Sequence, residues 1–221
     1  MATARRLVFP SKMKVEIEEF DVPDDPKSDE VIVQNLCSLI SPGTELAMFT
    51  ETHIGFPLPE FTYASFPFRP GYAAAGRAVK VGADVKEVAA GDIVFTRSGH
   101  ASHTVLRANR PLYKAPRMTL AHVPFAALAQ IALTSVRLTN PRLGITVGVF
   151  GQGLVGNLAA QLFGLSGARR VIGIDVMQQR LDISAACGID SQINPAHVAD
   201  TSHMLDHLTD DAGCHIVVEA T

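Results

Sequence analysis

The stretch Gly148-Val149-Phe150-Gly151-Gln152-Gly153-Leu154-Val155-Gly156-Asn157 decides how this chain reads. Its glycines are spaced Gly151-x-Gly153-x-x-Gly156. The run before them, ITVGVF (145–150), is short and nearly all apolar, the form of a strand covered on both faces. From Leu154 onward the pattern is helical. A second apolar strand, RVIGID, closes on Asp175, 19 residues after Gly156. Each residue then has a physical task in holding a dinucleotide. Gly151 permits the tight turn, Gly153 lets a pyrophosphate approach the backbone, and Gly156 lets helix and strand pack closely. The amides of Leu154 and Val155 open the helix and face the phosphates with its positive dipole end. Asp175 accepts from the ribose hydroxyls of NAD and repels the 2′-phosphate of NADP. Arg180, five residues on, leaves room for NADP, which is the less favoured cofactor.

Downstream the α/β alternation continues. MQQRLDISAACG is a helix, SQIN a weak strand, TSHMLDHLTDDAG a helix and HIVVEAT a fourth strand, the sequence form of a doubly wound parallel sheet. Two mononucleotide halves would supply about six strands. The sequence stops after the fourth, so an incomplete sheet and a C-terminally truncated chain are expected.

Upstream, residues 1–118 read as all-β. MKVEIEE alternates strictly, which predicts a half-buried strand with Met13, Val15 and Ile17 on its inner face. VIVQNLCSLI is a further strand, broken by SPGTE (41–45). GYAAAGRAVKVG is rich in small residues, as where backbones approach closely, and GDIVFTRSG and ASHTVLRAN add two strands. Residues 119–141 form the linking helix, helical in the latter part of the segment, with Thr119 as its cap and its end at Asn140-Pro141. Residues 142–221 are the dinucleotide domain.

Composition narrows the partners. The chain has 221 residues, 47% hydrophobic and 19% charged, with a net charge of −3. That charge gives no field for nucleic acid or an anionic membrane surface. No apolar run approaches the ~20 residues a bilayer requires. Cys37, Cys187 and Cys214 are too few and too scattered for a disulfide framework or a four-cysteine zinc lobe. A cytoplasmic protein acting on a small molecule is expected.

An all-β domain, a linking helix and this glycine fingerprint together resemble the medium-chain dehydrogenase/reductase family, the zinc alcohol dehydrogenase-like proteins. The resemblance covers the whole chain, through VIVQNLCSLISPGTE, RPGYAAAGRAVKVGADV, GDIVF, FAALAQIALTSVR and the fingerprint itself. It implies a GroES-like barrel carrying the substrate site, a partial Rossmann domain, a cleft between them, and a homodimer in the full-length form. Thr134 matches a position near the nicotinamide ribose.

The departures from the family concern zinc. Proline (Pro42) stands where a cysteine ligand is usual, and Tyr72 where a histidine ligand is usual. ALAQIALT offers no third ligand, and zinc wants three or four N, S or O donors. No metal is expected. SPGTE with PGY resembles a zinc-lacking branch that includes bacteriochlorophyllide-type and sugar-linked dehydrogenases. Hydroxyl and imidazole groups would then replace the metal. Thr44 aligns with a hydroxyl that relays a proton. Tyr72 is either a donor to a carbonyl oxygen or a filler of the vacated site. Glu45 aligns with an acid that supports a zinc histidine, and in its absence pairs with a basic group or caps a helix. His100 and His103 are further titratable candidates, and His53 and the aromatics of 56–68 either wall a pocket or pack as a loop. The function expected is zinc-independent hydride transfer between NAD(H) and an alcohol or carbonyl. The alternatives are a quinone- or enone-type reductase, or a non-catalytic nucleotide-binding protein.

Overall fold

The computed structural model describes residues 2–221. They form two compact units that divide between Ala127 and Leu128.

In the first unit, β1 (Ala2–Val8) and β2 (Glu16–Val22) pair as an antiparallel hairpin. Beside it lies a five-stranded antiparallel sheet built on β3 (Glu30–Ser38), β4 (Ala74–Val81), β5 (Ile93–Thr96), β6 (His103–Arg107) and β7 (Leu112–Lys114), in the order β6-β3-β4-β5-β7. Val31, Ile32 and Val33 of β3 are all buried, which anchors the strand on both faces. Register shifts at Ile32/Val33 and Asn35/Cys37 curl the sheet into a half-barrel. The small residues of β4 serve that curl: a Cβ on Gly76 would lie 2.4 Å from the Gln34 carbonyl oxygen.

Met13, Val15 and Ile17 do not form the inner face that their alternation predicts. They are 62%, 53% and 66% exposed. The opposite face is the inner one: Phe20 and Val22 pack against Ala4 and Ile32. Glu18 shares that face because Arg6 and Arg69 neutralise it, at 2.6 and 3.0 Å.

SPGTE is not a simple break. Pro42 opens α1 (Pro42–Phe49) at its first turn, where a missing amide hydrogen costs nothing. The linking segment also starts differently from the sequence expectation. A single 3-10 turn spans Leu120–His122, and α2 (Phe125–Thr139) begins only after Pro124. The Thr119 side chain caps neither.

In the second unit, β8 (Thr146–Phe150), β9 (Arg170–Ile174), β10 (Ser191–Ile193) and β11 (Ile216–Glu219) are parallel. They alternate with α3 (Leu154–Leu165), α4 (Gln178–Ala186) and α5 (Thr201–Thr209). The sheet order β10-β9-β8-β11 reverses direction between β8 and β11. In open parallel sheets that switch point is where ligands bind, at the carboxyl ends of the strands. Val147, Val149 and Phe163 are fully buried and, with Val171, form the core beneath it.

Candidate functional sites

The glycine loop stands at the switch point. Gly151 has φ +82°, and a Cβ there would lie 2.6 Å from the Ala220 carbonyl carbon at the end of β11. A Cβ on Gly156 would lie 1.8 Å from the Gly151 carbonyl oxygen, so no other residue fits the first turn of α3. A Cβ on Gly153 would meet nothing within 4 Å. The face above Gly153 is therefore open, and no side chain caps the amides that follow it at Leu154 and Val155. Uncapped amides around an open glycine cradle suit a pyrophosphate.

A residue outside the glycine pattern braces this loop. Gln152 is 3% exposed, with its side chain turned beneath the turn. Its Nε2 donates to the Val149 carbonyl at 2.9 Å, and its Oε1 accepts from Ser184 Oγ at 2.9 Å. Gly173 makes room for it, since a Cβ there would lie 2.9 Å from the Gln152 amide carbon. Nothing in the spacing of Gln152 and Ser184 announces this brace.

Asp175 is drawn into the same structure. Its Oδ2 accepts from the Gln152 amide at 2.7 Å and from Arg180 at 3.3 Å, while its Oδ1 accepts from the Met177 amide at 2.8 Å. Burial works to raise the Asp175 carboxyl. The Met177 and Gln152 amides and Arg180 together outweigh it, so the group titrates below its ordinary value. It is thus an anion, 6% exposed, that ties the glycine loop to β9. Arg180 is half-exposed at its rim. Thr134 is exposed on α2 with its hydroxyl turned to the Gln130 carbonyl at 3.5 Å, apart from these hydrogen bonds.

In the first unit a polar cluster gathers at one end of β3 and β4. The Tyr72 hydroxyl donates to Ser41 Oγ at 2.7 Å. The Ser41 amide donates to Glu45 Oε1 at 2.9 Å, and Glu45 Oε2 stands 2.7 Å from His100 Nε2. His100 Nδ1 stands 2.8 Å from Ser38 Oγ. Glu45 thus pairs with the His100 imidazole and accepts from the amide at the start of α1. Thr44 is exposed on the first turn of α1. Beside the pair lies a hollow of about 380 Å³ walled by Leu7, Phe9, Leu46 and Phe49, in which Glu45 and His100 are the only polar liners.

Other candidates lie apart from that cluster. Among the described residues the His103 ring hydrogen-bonds only Ser102, at 3.2 Å, and the Cys37 thiol points to the Leu120 carbonyl at 3.5 Å. His53 accepts from the Gly55 amide and packs edge-on against Tyr63, inside a loop whose Phe56 and Phe66 rings also pair. His197, His203 and His207 are exposed. Among the described residues, no three His, Cys, Asp or Glu side chains stand close enough to share a metal ion, and none of the helices is long and apolar enough to cross a membrane.

A curled antiparallel half-barrel followed by a doubly wound sheet with a glycine cradle is the architecture of the medium-chain, alcohol dehydrogenase-like proteins, and the chain's homologues and structural neighbours are of that family. The chain is 33% identical over 161 residues to D-guloside 3-dehydrogenase of Escherichia coli, a match covering 70% of this chain and 45% of that protein. An alcohol dehydrogenase of Thermotoga maritima superposes with a TM-score of 0.83 at 19% identity, over 100% of this chain and 72% of that one. A Sinorhizobium meliloti protein described as a zinc-binding dehydrogenase, solved with NADP, superposes with a TM-score of 0.80 at 17% identity, over 100% and 70%. The chain thus spans less than half the length of the curated relative. No protein-family model matches it. The curated relatives matched are themselves named as a guloside dehydrogenase and alcohol dehydrogenases.

Proposed function

We propose that this chain carries the cofactor and substrate sites of a zinc-independent oxidoreductase that moves hydride between NAD(H) and a secondary alcohol or its carbonyl. One observation carries the reading: Gly151 and Gly156 are sterically obligatory, whereas Gly153 is open, so the loop is shaped to receive something above Gly153. When bound, the nicotinamide supplies the hydride acceptor. Gly153, Leu154 and Val155 take the pyrophosphate, and Asp175 takes the adenosine ribose. The Asp175 anion favours NAD over NADP, with Arg180 as the group that would admit a 2′-phosphate. Thr134 lies along the nicotinamide side.

Zinc independence rests on the donor set. Pro42 offers no ligand atom, and the Tyr72 hydroxyl is committed to Ser41. Thr44 and Tyr72 are the hydroxyls assigned to the substrate oxygen, Tyr72 by turning its proton from Ser41 to a substrate carbonyl. Glu45, with both oxygens already engaged, acts by holding them in place. The likeness to a guloside dehydrogenase favours a sugar-like secondary alcohol. The three free cysteines accord with a cytoplasmic protein, and the family resemblance favours a homodimer.

The test is calorimetric titration of the chain with NAD and NADP, then NADH formation from methyl glycosides and butane-2,3-diol, NADH consumption by cyclohexenone, and metal analysis of the same sample. NAD binding with alcohol oxidation and no zinc is expected. Turnover of cyclohexenone alone would make it an enone reductase, and binding with no turnover a nucleotide-binding protein. One zinc per chain would overturn the metal-free reading.

A further inference from the structure

Ser38 ends β3, Glu45 lies on α1, and His100 lies in the turn between β5 and β6. Three separate elements thus bring a hydroxyl, a carboxylate and an imidazole into one line, at 2.8 and 2.7 Å. The Glu45 and His100 side chains are 6% and 7% exposed, yet Ser38 faces solvent. The line therefore runs from the interior to the surface. The Leu39 amide donates to the Ala73 carbonyl at 2.9 Å, and Ser38 lies across from Ala74. The exposed hydroxyl thus sits at the same end of the sheet as Tyr72.

The direction of the hydrogen bonds follows from the acid. An ionised carboxylate only accepts, so the ring proton is on Nε2. In the neutral ring Nδ1 is then the acceptor, and the Ser38 hydroxyl donates to it. That leaves the lone pairs of Ser38 Oγ turned outward, ready to take a proton.

We propose that Ser38, His100 and Glu45 form the proton relay of the reaction inferred above, with Ser38 touching the substrate hydroxyl and His100 and Glu45 as positioning residues behind it. The proposal rests on that reading of the function. As a carbinol is oxidised, its O–H proton passes to Ser38 Oγ while the hydrogen of Ser38 passes to His100 Nδ1. The carbinol C–H bond breaks, and both its electrons leave with the hydrogen to the hydride acceptor. The C=O bond forms, and the added proton rests on Nδ1, leaving an imidazolium whose Nε2–H faces the Glu45 carboxylate. A return shift through Ser38 to water resets the line. This moves the acceptor from Thr44, which stands exposed on α1, to a hydroxyl with a buried base behind it.

The experiment uses the full chain, labelled with 15N, together with Ser38→Ala, Ser38→Thr, Glu45→Gln and His100→Gln variants. Imidazole 15N spectra, with His100 assigned by its loss in H100Q, should show Nε2 protonated and Nδ1 bare. S38A should move the Nδ1 signal and E45Q the Nε2 signal. With NAD and the methyl glycosides or butane-2,3-diol, S38A and H100Q should each lower kcat about 100-fold. KM should stay unchanged and the solvent deuterium isotope effect should be lost, while S38T recovers most of the rate. An Nδ1-protonated ring, a ring indifferent to S38A, or full turnover by S38A overturns the relay. NAD binding by a wild-type chain that oxidises none of these alcohols also overturns it, leaving the nucleotide site standing. Failure of NAD to move the Gly151–Gly156 amide signals overturns the functional reading and the relay together.

Discussion

A Cβ placed on Gly156 would stand 1.8 Å from the carbonyl oxygen of Gly151, while one on Gly153, between them, would touch nothing within 4 Å. The two glycines therefore answer to different demands. Gly156→Ala forces α3 away from the turn and is expected to cost about 1–3 kcal/mol of stability. Gly153→Ala keeps an extended backbone any residue adopts, and is expected to leave stability within about 0.5 kcal/mol of wild type. Its methyl group occupies the phosphate approach, so NAD affinity should fall by about tenfold or more, the loss of one charge-assisted hydrogen bond. Urea unfolding and NAD titration of both variants read the two effects separately.

Asp175 holds the loop and is the residue proposed above to take the ribose. Asp175→Asn keeps the shape but removes the charge that its three donors share. The preference for NAD over NADP should narrow, and binding of both should weaken because the Gln152 amide is held less firmly. Arg180→Ala should leave NAD affinity nearly unchanged and reduce NADP binding. Titration of the three proteins with each nucleotide checks the ordering.

Glu18 gives the first unit an acid-sensitive clasp. Its hydrogen bonds to Arg69 and Arg6 lower its pKa from 4.5 to about 2. A carboxylate whose folded pKa is depressed contributes stability above its unfolded pKa and loses it as pH falls through the folded one. The contribution should therefore be full above pH 4.5 and fade toward pH 2. Glu18→Gln should be less stable at pH 7 and should show a flatter melting temperature over that acid range, as read by circular dichroism.

Ile17 tests the side of β2 that faces out. On a half-buried inner face, loss of its side chain would cost about 1.5–3 kcal/mol. It is 66% exposed, so Ile17→Thr should change stability by no more than about 0.5 kcal/mol. Phe20→Ala, on the face that packs against Ala4 and Ile32, should cost several times more. Parallel urea curves decide.

The parts of the molecule legible in the sequence are those fixed by local pattern. Gly151 and Gly156 are read from spacing because each answers to a backbone requirement within one strand–turn–helix unit, and Gly153 and Asp175 are read from the same pattern. The four parallel strands follow from their apolar runs. The β2 alternation gives the right period but the wrong inner face, because Arg6 and Arg69 arrive from distant positions to make Glu18 tolerable there. SPGTE conceals a helix, since proline and glycine read as breakers where proline is also a favoured first residue. Ser38 and the Gln152 brace carry no local signal at all. His100 is visible as a titratable residue, but its partners Ser38 and Glu45 lie 62 and 55 residues away in the chain, and only the folded sheet brings them together.

The fit of Gly151 against Ala220 has a consequence for how the protein is made. The Ala220 amide donates to the Phe150 carbonyl, directly before the turn. The glycine turn is thus confined by a residue synthesised long after its own glycines. A nascent chain that has emerged through α5 can hold β8, β9 and β10, but its turn still lacks the neighbour that confines it. Nucleotide can steady this turn only once β11 has left the ribosome, so cofactor supply acts late in the emergence of this unit rather than on its first strands.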